Sequence, residues 1–149
     1  MNRYNEAYKN FFEEFGDHSK MVLSSSLNDI VTSRMMSIVV INHKFYFQTD
    51  KMSRKYEQLK KNKNVSLCID NIQINGLCEE IGRPVDDNEF ISVYKKHFHG
   101  SYRAYTLLDG ERLFMVTPNL IERWLYIESI PYIEMIDIDN VRYSLEKYL

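Results

Sequence analysis

The feature that most constrains this chain is a run of strand-like segments separated only by tight turns. Met21 to Ser26 and Ile30 to Ile41 flank Asn28-Asp29, residue types that tolerate the backbone of a two-residue turn. Asn42-His43-Lys44 forms a second turn, and Phe45 to Thr49 alternates as a third strand. Strands joined this closely pair antiparallel, because a parallel crossover needs a dozen or more residues. Val65 to Asp70, Ile72 to Gly82, Arg112 to Thr117 and Tyr132 to Ile138 read as further strands, with Pro118 and Pro131 at irregular joints. A doubly wound parallel sheet would need regular strand–helix alternation and a Gly-rich first turn, and neither is present.

Three amphipathic helices interrupt this pattern. Arg3 to Phe15 carries Tyr4, Ala7, Tyr8, Phe11, Phe12 and Phe15 at helical spacing, with Gly16 where a C-cap glycine belongs. Ser53 to Asn62 starts on an N-cap serine, and Asp86 to His97 turns Phe90, Val93 and Tyr94 inward. The expectation is one α+β domain over residues 1–149, built on a six-stranded antiparallel barrel with short helices. Residues 1–16 form its N-terminal helix and residues 139–149 a C-terminal tail. With 149 residues the chain can bury a core without staples, roughly 70% of its unfolded surface.

Composition narrows the function classes. A net charge of −2 gives nucleic-acid binding no global support, and no apolar run approaches the about 20 residues of a membrane span. Cys68 and Cys78 lie in strand-like runs rather than at metal or redox spacings. Both are expected to be buried, reduced thiols of a cytoplasmic protein.

The chemistry concentrates at Thr49-Asp50-Lys51-Met52-Ser53-Arg54-Lys55, which leaves a strand and enters a helix. The free N–H groups and dipole of a first helical turn favour an anion. Thr49 and Ser53 add hydroxyls, and six of the chain's 19 basic residues lie between Lys51 and Lys63. A solvated, N-capped helix start would share this pattern. Arg34 tips the balance, because it sits in a strand apolar on both faces, where an unpaired guanidinium costs several kcal/mol, on the order of 3–5 when fully buried. Brought beside Thr49 and the helix start, its fork would grip a phosphate.

These residues resemble the pyridoxamine 5′-phosphate oxidase-like superfamily, the FMN-binding split β-barrels. The resemblance rests on Arg34-Met35-Met36-Ser37, Phe45 to Thr49, Ser53-Arg54-Lys55, Gln58-Leu59, Asn62 and Val65-Ser66-Leu67, then on Val116-Thr117-Pro118 and Ile121-Glu122-Arg123-Trp124. It implies a homodimer with FMN at the subunit interface. In that reading Arg34, Ser53, Arg54 and Lys55 hold the FMN phosphate, and Met36 and Ser37 offer backbone contacts along the flavin. Thr49 reaches its ring or ribityl chain, Asn71 or Gln73 meets the isoalloxazine edge, and Trp124 approaches from the partner.

The departures from the pattern also carry meaning. Val39 stands where true pyridoxamine phosphate oxidases have a lysine, and Ile130 and Tyr132 stand where they have arginine and histidine. Those cations grip the substrate's phosphate, so the resemblance points instead to the small flavin reductases and the nitroimidazole-reductase-like branch. The expected activity passes electrons from NADH or NADPH through FMN to a small acceptor such as a nitroaromatic or another flavin. A flavin- or haem-binding carrier or sensor without turnover is the alternative. A phosphate-binding module without flavin is a third reading. Tyr102 and Tyr105 are candidate cleft-lining residues. His97 and His99 are spaced as a possible metal pair with no clear third ligand, and His18 reads as a loop histidine.

Overall fold

The computed structural model describes residues 2–149. Helix α1 (Arg3–Phe15) is capped at its start by the Asn2 side chain, which accepts from Asn5 N–H, and at its end by Gly16 at φ +84°. Strands β1 (His18–Leu27), β2 (Ile30–Ile41) and β3 (Lys44–Asp50) follow as two hairpins. Asn28 and Asp29, then Asn42 and His43, all adopt positive φ. Both hairpins therefore turn through the two-residue geometry that their sequence invites.

Helix α2 (Arg54–Lys61) comes next, with Ser53 accepting from Tyr56 N–H. Strands β4 (Asn64–Ile69) and β5 (Ile72–Gly82) form a third hairpin. Helix α3 (Asn88–His97), capped by Asp87, continues through a short turn at His99–Ser101 into a π-wound segment at Tyr102–Thr106. Strands β6 (Glu111–Ile127), β7 (Ile130–Asp137) and β8 (Arg142–Lys147) complete the chain.

The order β3-β2-β1-β4-β5-β6, with β3 also pairing β6, closes a six-stranded antiparallel barrel. Its inner face comes from alternate residues: Met21 and Leu23, Ile38 and Val40, Phe45 and Phe47, Leu67, Ile74, Phe114 and Val116 are all buried. The aromatic side of α1 joins this core through Phe11 and Phe12, and Leu59 of α2 does the same. The outer face near β2, β3 and β6 forms a second cluster, in which Phe90, Tyr94 and Phe98 cover Val39 and Leu113.

Three expectations change. Strand β6 is 17 residues long rather than a short run ending at Thr117. It passes Pro118 at a register shift beside Gly76, where the backbones lie so close that a Cβ on Gly76 would stand 2.7 Å from Thr117 O. Past Pro118, β6 stays paired with β5 as far as Arg123 while its other edge passes from β3 to β7, which pairs with β8. The segment 139–149 is thus not simply a tail but supplies an edge strand. Finally, Cys68 is exposed, because alternation sends its neighbour Leu67 inward; only Cys78 is buried. Burial pushes the Cys78 thiol up to about 12, with Glu79 adding to the effect.

Candidate functional site: a cation-lined cleft between β2 and α2

Arg34 shares the inner-face parity of Met36 and Ile38, but it lies toward the β1–β2 turn, where α2 packs over the barrel. Its Nη1 donates to Leu23 O at 3.2 Å and Ser25 Oγ at 2.9 Å. Its Nη2 donates to Thr32 Oγ1 at 2.6 Å and Gln58 Oε1 at 3.0 Å. Ser25 and Thr32 pass their own protons on to Gln58 Oε1, at 3.0 and 2.8 Å. Every acceptor in this network is neutral. The arginine is positioned, but its charge is not neutralised.

Arg34 lines a cleft of about 300 Å³ with Thr32 and Ser33 of β2 and Arg54, Lys55 and Gln58 of α2. Among the described residues, none of the three cations makes an ion pair within 4.0 Å. Burial, and then the nearby Arg54, lower the Arg34 pKa. Burial, and then Arg34, lower that of Lys55, opposed by Glu111 and Asp50. Like charges crowded at the N-terminus of a capped helix raise one another's energy, and an anion in the cleft would relieve all three at once.

The carboxylates that act on Lys55 lie outside the cleft lining. Glu111 opens β6 opposite Asp50 of β3 and is buried. Burial, and then the Asp50 charge, push its carboxyl up to about 7, while Lys55 acts in the opposite direction.

The structure brings together some of the sequence-derived residues and separates others. Arg34, Arg54 and Lys55 share the cleft. Ser53 caps α2 and shares a 3.2 Å hydroxyl contact with the buried Thr49, but neither lines the cleft. The anticipated fork of Arg34 is engaged with neutral oxygens, so the residue contributes its charge more than two free N–H groups. Met36 packs against the core and Ser37 is half-buried farther along β2.

Asn71 and Trp124 form a separate pair, joined by the Asn71 amide to Trp124 O and by Trp124 N–H to Asn71 O at 3.2 Å. The Trp124 ring lies 4.8 Å from that of Tyr148. Gln73 is exposed on the outer barrel face, in a cross-strand row that runs from Met35 through Val22 and Cys68 to Gln73. Tyr102 is half-buried against the α3 cluster and Tyr105 is exposed; neither lines the cleft.

Sequence reading missed Ser25 and Thr32 as the supports of Arg34. Alternation alone places Thr32 on the same face as Arg34, but only the β1–β2 register puts Ser25 opposite Thr32. A second groove of about 380 Å³ begins at Ser25 and Val31 and is lined by hydroxyls and amides, including Ser24, Ser66, Asn75 and Asn119, with no charged side chain.

A closed six-stranded barrel with an arginine-bearing second strand and a capped basic helix defines a split-barrel protein. The sequence model of pyridoxamine 5′-phosphate oxidase matches residues 5–125, and the chain belongs to that family, a family of flavin-binding split barrels. No curated protein matches the sequence significantly.

Solved structures share the fold at low identity. A protein related to general stress protein 26 from Clostridium acetobutylicum superposes with TM-score 0.65 at 16% identity, covering 95% of this chain and 100% of the other. General stress protein 26 from Bacillus anthracis gives 0.59 at 19%, covering 80% and 92%. A NimC/NimA family protein from C. acetobutylicum gives 0.58 at 13%, covering 96% and 94%.

Proposed function

We propose that the cleft between β2 and α2 holds the phosphate of FMN and that the chain works as a homodimeric, FMN-dependent oxidoreductase. It would pass electrons from NADH or NADPH to a small acceptor such as a nitroaromatic or another flavin. The observation that carries this reading is the group of three cations, Arg34, Arg54 and Lys55, facing one cleft with no ion pair within 4.0 Å among the described residues. Such a set fits a dianionic phosphate and is costly without one.

In this reading the flavin, when bound, supplies the redox chemistry. The chain's own groups bind and orient it. Arg54 and Lys55 meet the phosphate, Arg34 adds a fixed positive charge behind them, and the N-terminal dipole of α2 points the same way. The outer face of the barrel, where Val31 and Met35 are 68% and 61% exposed, is the surface that a second copy would cover. Trp124 would then approach the flavin from the partner, and Trp124→Ala should loosen flavin or dimer in a sizing experiment while leaving the barrel folded.

Oxidation of pyridoxamine phosphate itself is not the proposed reaction. Val39, at the place of the family's substrate-gripping lysine, is fully buried beneath Phe90 and Tyr94. Helix α3 occupies the space above it, so that position offers neither a cation nor an opening.

The deciding experiment is a visible absorption spectrum of purified protein, repeated after incubation with FMN and desalting. Bands near about 370 and 450 nm that survive desalting, together with steady FMN-dependent NADPH oxidation, are the expected result. Retained flavin with no turnover would establish the carrier or sensor reading instead. A colourless protein after reconstitution would overturn both.

A further inference from the structure

At the opposite end of β1 from the cleft, three metal-ligating side chains converge from three elements. Asp17 follows the C-cap of α1, and its carbonyl accepts from Val40 N–H at 2.8 Å, which pins its backbone to β2. His18 is the first residue of β1, and His97 is the last of α3. Asp17 Oδ1 lies 2.8 Å from His18 Nδ1 and 3.8 Å from His97 Nε2. One donor atom from each residue falls within 4.8 Å of the other two. The two imidazole rings stack at 3.5 Å with only 9° between their planes.

We propose that Asp17, His18 and His97 bind a divalent transition-metal ion, with Zn²⁺ the best match to two nitrogens and one carboxylate oxygen. Tetrahedral Zn²⁺ at about 2.0–2.2 Å from each ligand sets neighbouring donor atoms roughly 3.3 Å apart, and the two measured separations straddle that value. The rings must splay from parallel to aim their lone pairs at one point. They have room to do so, since the His18 and His97 side chains are 40% and 23% exposed.

A simple carboxylate–histidine pair would account for Asp17 and one histidine but not for the second ring laid against the first. If both imidazoles were protonated, two cations at stacking distance would share one carboxylate. A single divalent ion makes use of all three groups and leaves a coordination position for water. His99, the other half of the pair suggested by spacing, instead turns its ring toward Tyr102, 6.5 Å away between centroids.

The location gives the ion a structural task. It would tie the end of α3 to the start of β1 and so hold α3 over Val39 and Leu113. His18 pairs opposite Val39 and Leu23 opposite Arg34, so five residues of β1 separate the two sites, about 17 Å at 3.4 Å per residue. The proposal is independent of the flavin reading.

The test uses tag-free protein treated with EDTA, dialysed, and titrated with Zn²⁺ by calorimetry, with Co²⁺ absorption reporting the ligand field. Expected are one ion per chain, a Kd below roughly 10 µM and a raised Tm with Zn²⁺ in excess. Removing a ligand should weaken binding by at least about tenfold in His97→Ala and in Asp17→Asn, while His99→Ala leaves it unchanged. Asp17 is exposed, so Asp17→Asn remains decisive if His97→Ala fails to fold by circular dichroism. The absence of one-to-one binding tighter than roughly 100 µM would overturn the proposal. So would undiminished binding in Asp17→Asn, which would move the ion to Cys68 or to another histidine.

Discussion

Two arginines of this barrel are comparably withdrawn from water but differently partnered. Arg123 of β6 donates through Nε to Glu134 Oε1 at 2.7 Å and through Nη1 to Glu14 of α1 at 3.3 Å. Glu134 also accepts from Tyr143 of β8 at 2.8 Å. Burial alone would lower the Arg123 pKa, yet the two carboxylates more than offset it and hold it above its ordinary value. Arg34 is held just as firmly, but by a carbonyl, two hydroxyls and an amide, and its pKa falls. The first arginine ties α1, β7 and β8 to the barrel. Among the described residues, the second makes no ion pair within 4.0 Å. Geometry positions both, and the identity of the acceptors separates a structural cation from one available to a ligand.

The sharpest way to break this contrast is to remove each cation and read both ligand affinity and stability. Arg34→Ala and Lys55→Ala should each weaken FMN by about 1.5–3 kcal/mol, roughly 10- to 150-fold, in a fluorescence titration. Unchanged affinity in both would place the phosphate elsewhere. Glu134→Gln should do the reverse. It leaves Arg123 with the exposed Glu14 alone and lowers unfolding stability by about 1–3 kcal/mol in urea, with flavin affinity intact.

A pH titration sharpens the same comparison from the acidic side. The Glu111 carboxyl is raised to about 7 in the folded chain, so between its ordinary value and 7 the native state holds more protons than the unfolded one. Stability should therefore be highest at the acidic end of that window and fall by about 1–2 kcal/mol from pH 5 to 7. Glu111→Gln should flatten this slope; an unaltered slope would assign it to other groups. The smallest effect belongs to the exposed Glu57–Lys61 pair on α2, at 3.2 Å. Lys61→Ala should change stability by less than about 0.5 kcal/mol and leave FMN binding unmoved, despite its place in the same basic helix.

Much of the barrel was legible because its signals are local. The two-residue turns at Asn28-Asp29 and Asn42-His43, the Ser53 cap and the aromatic side of α1 all follow from residues a few positions apart. Alternation marked β3 as a strand, whereas β2 is apolar on both faces and only the closed barrel chose the face of Met36, Ile38 and Val40 as the inner one. Of the site, Arg34, Arg54 and Lys55 were readable as a cation group because they are rare charges at a strand interior and a helix start. Thr49 and Ser53, expected beside them, stand just outside the cleft. Their hydroxyls satisfy each other and the helix cap, and neither lines the cleft.

By itself, then, the sequence determined the order of the first hairpins, the caps, the apolar faces of the helices and the clustering of positive charge on α2. All of these depend on backbone preference and on period-two or period-3.6 patterning, which neighbouring residues dictate. Tertiary structure alone decided that β6 runs past Pro118, staying beside β5 while it exchanges β3 for β7, and that residues 142–147 add an eighth strand. It also decided that Arg34 meets neutral acceptors while Arg123 meets carboxylates, and that His18 lies against His97 rather than His97 beside His99. The farthest of these encounters joins residues 109 positions apart. Strand register and helix docking set such encounters, and no window of local sequence contains them.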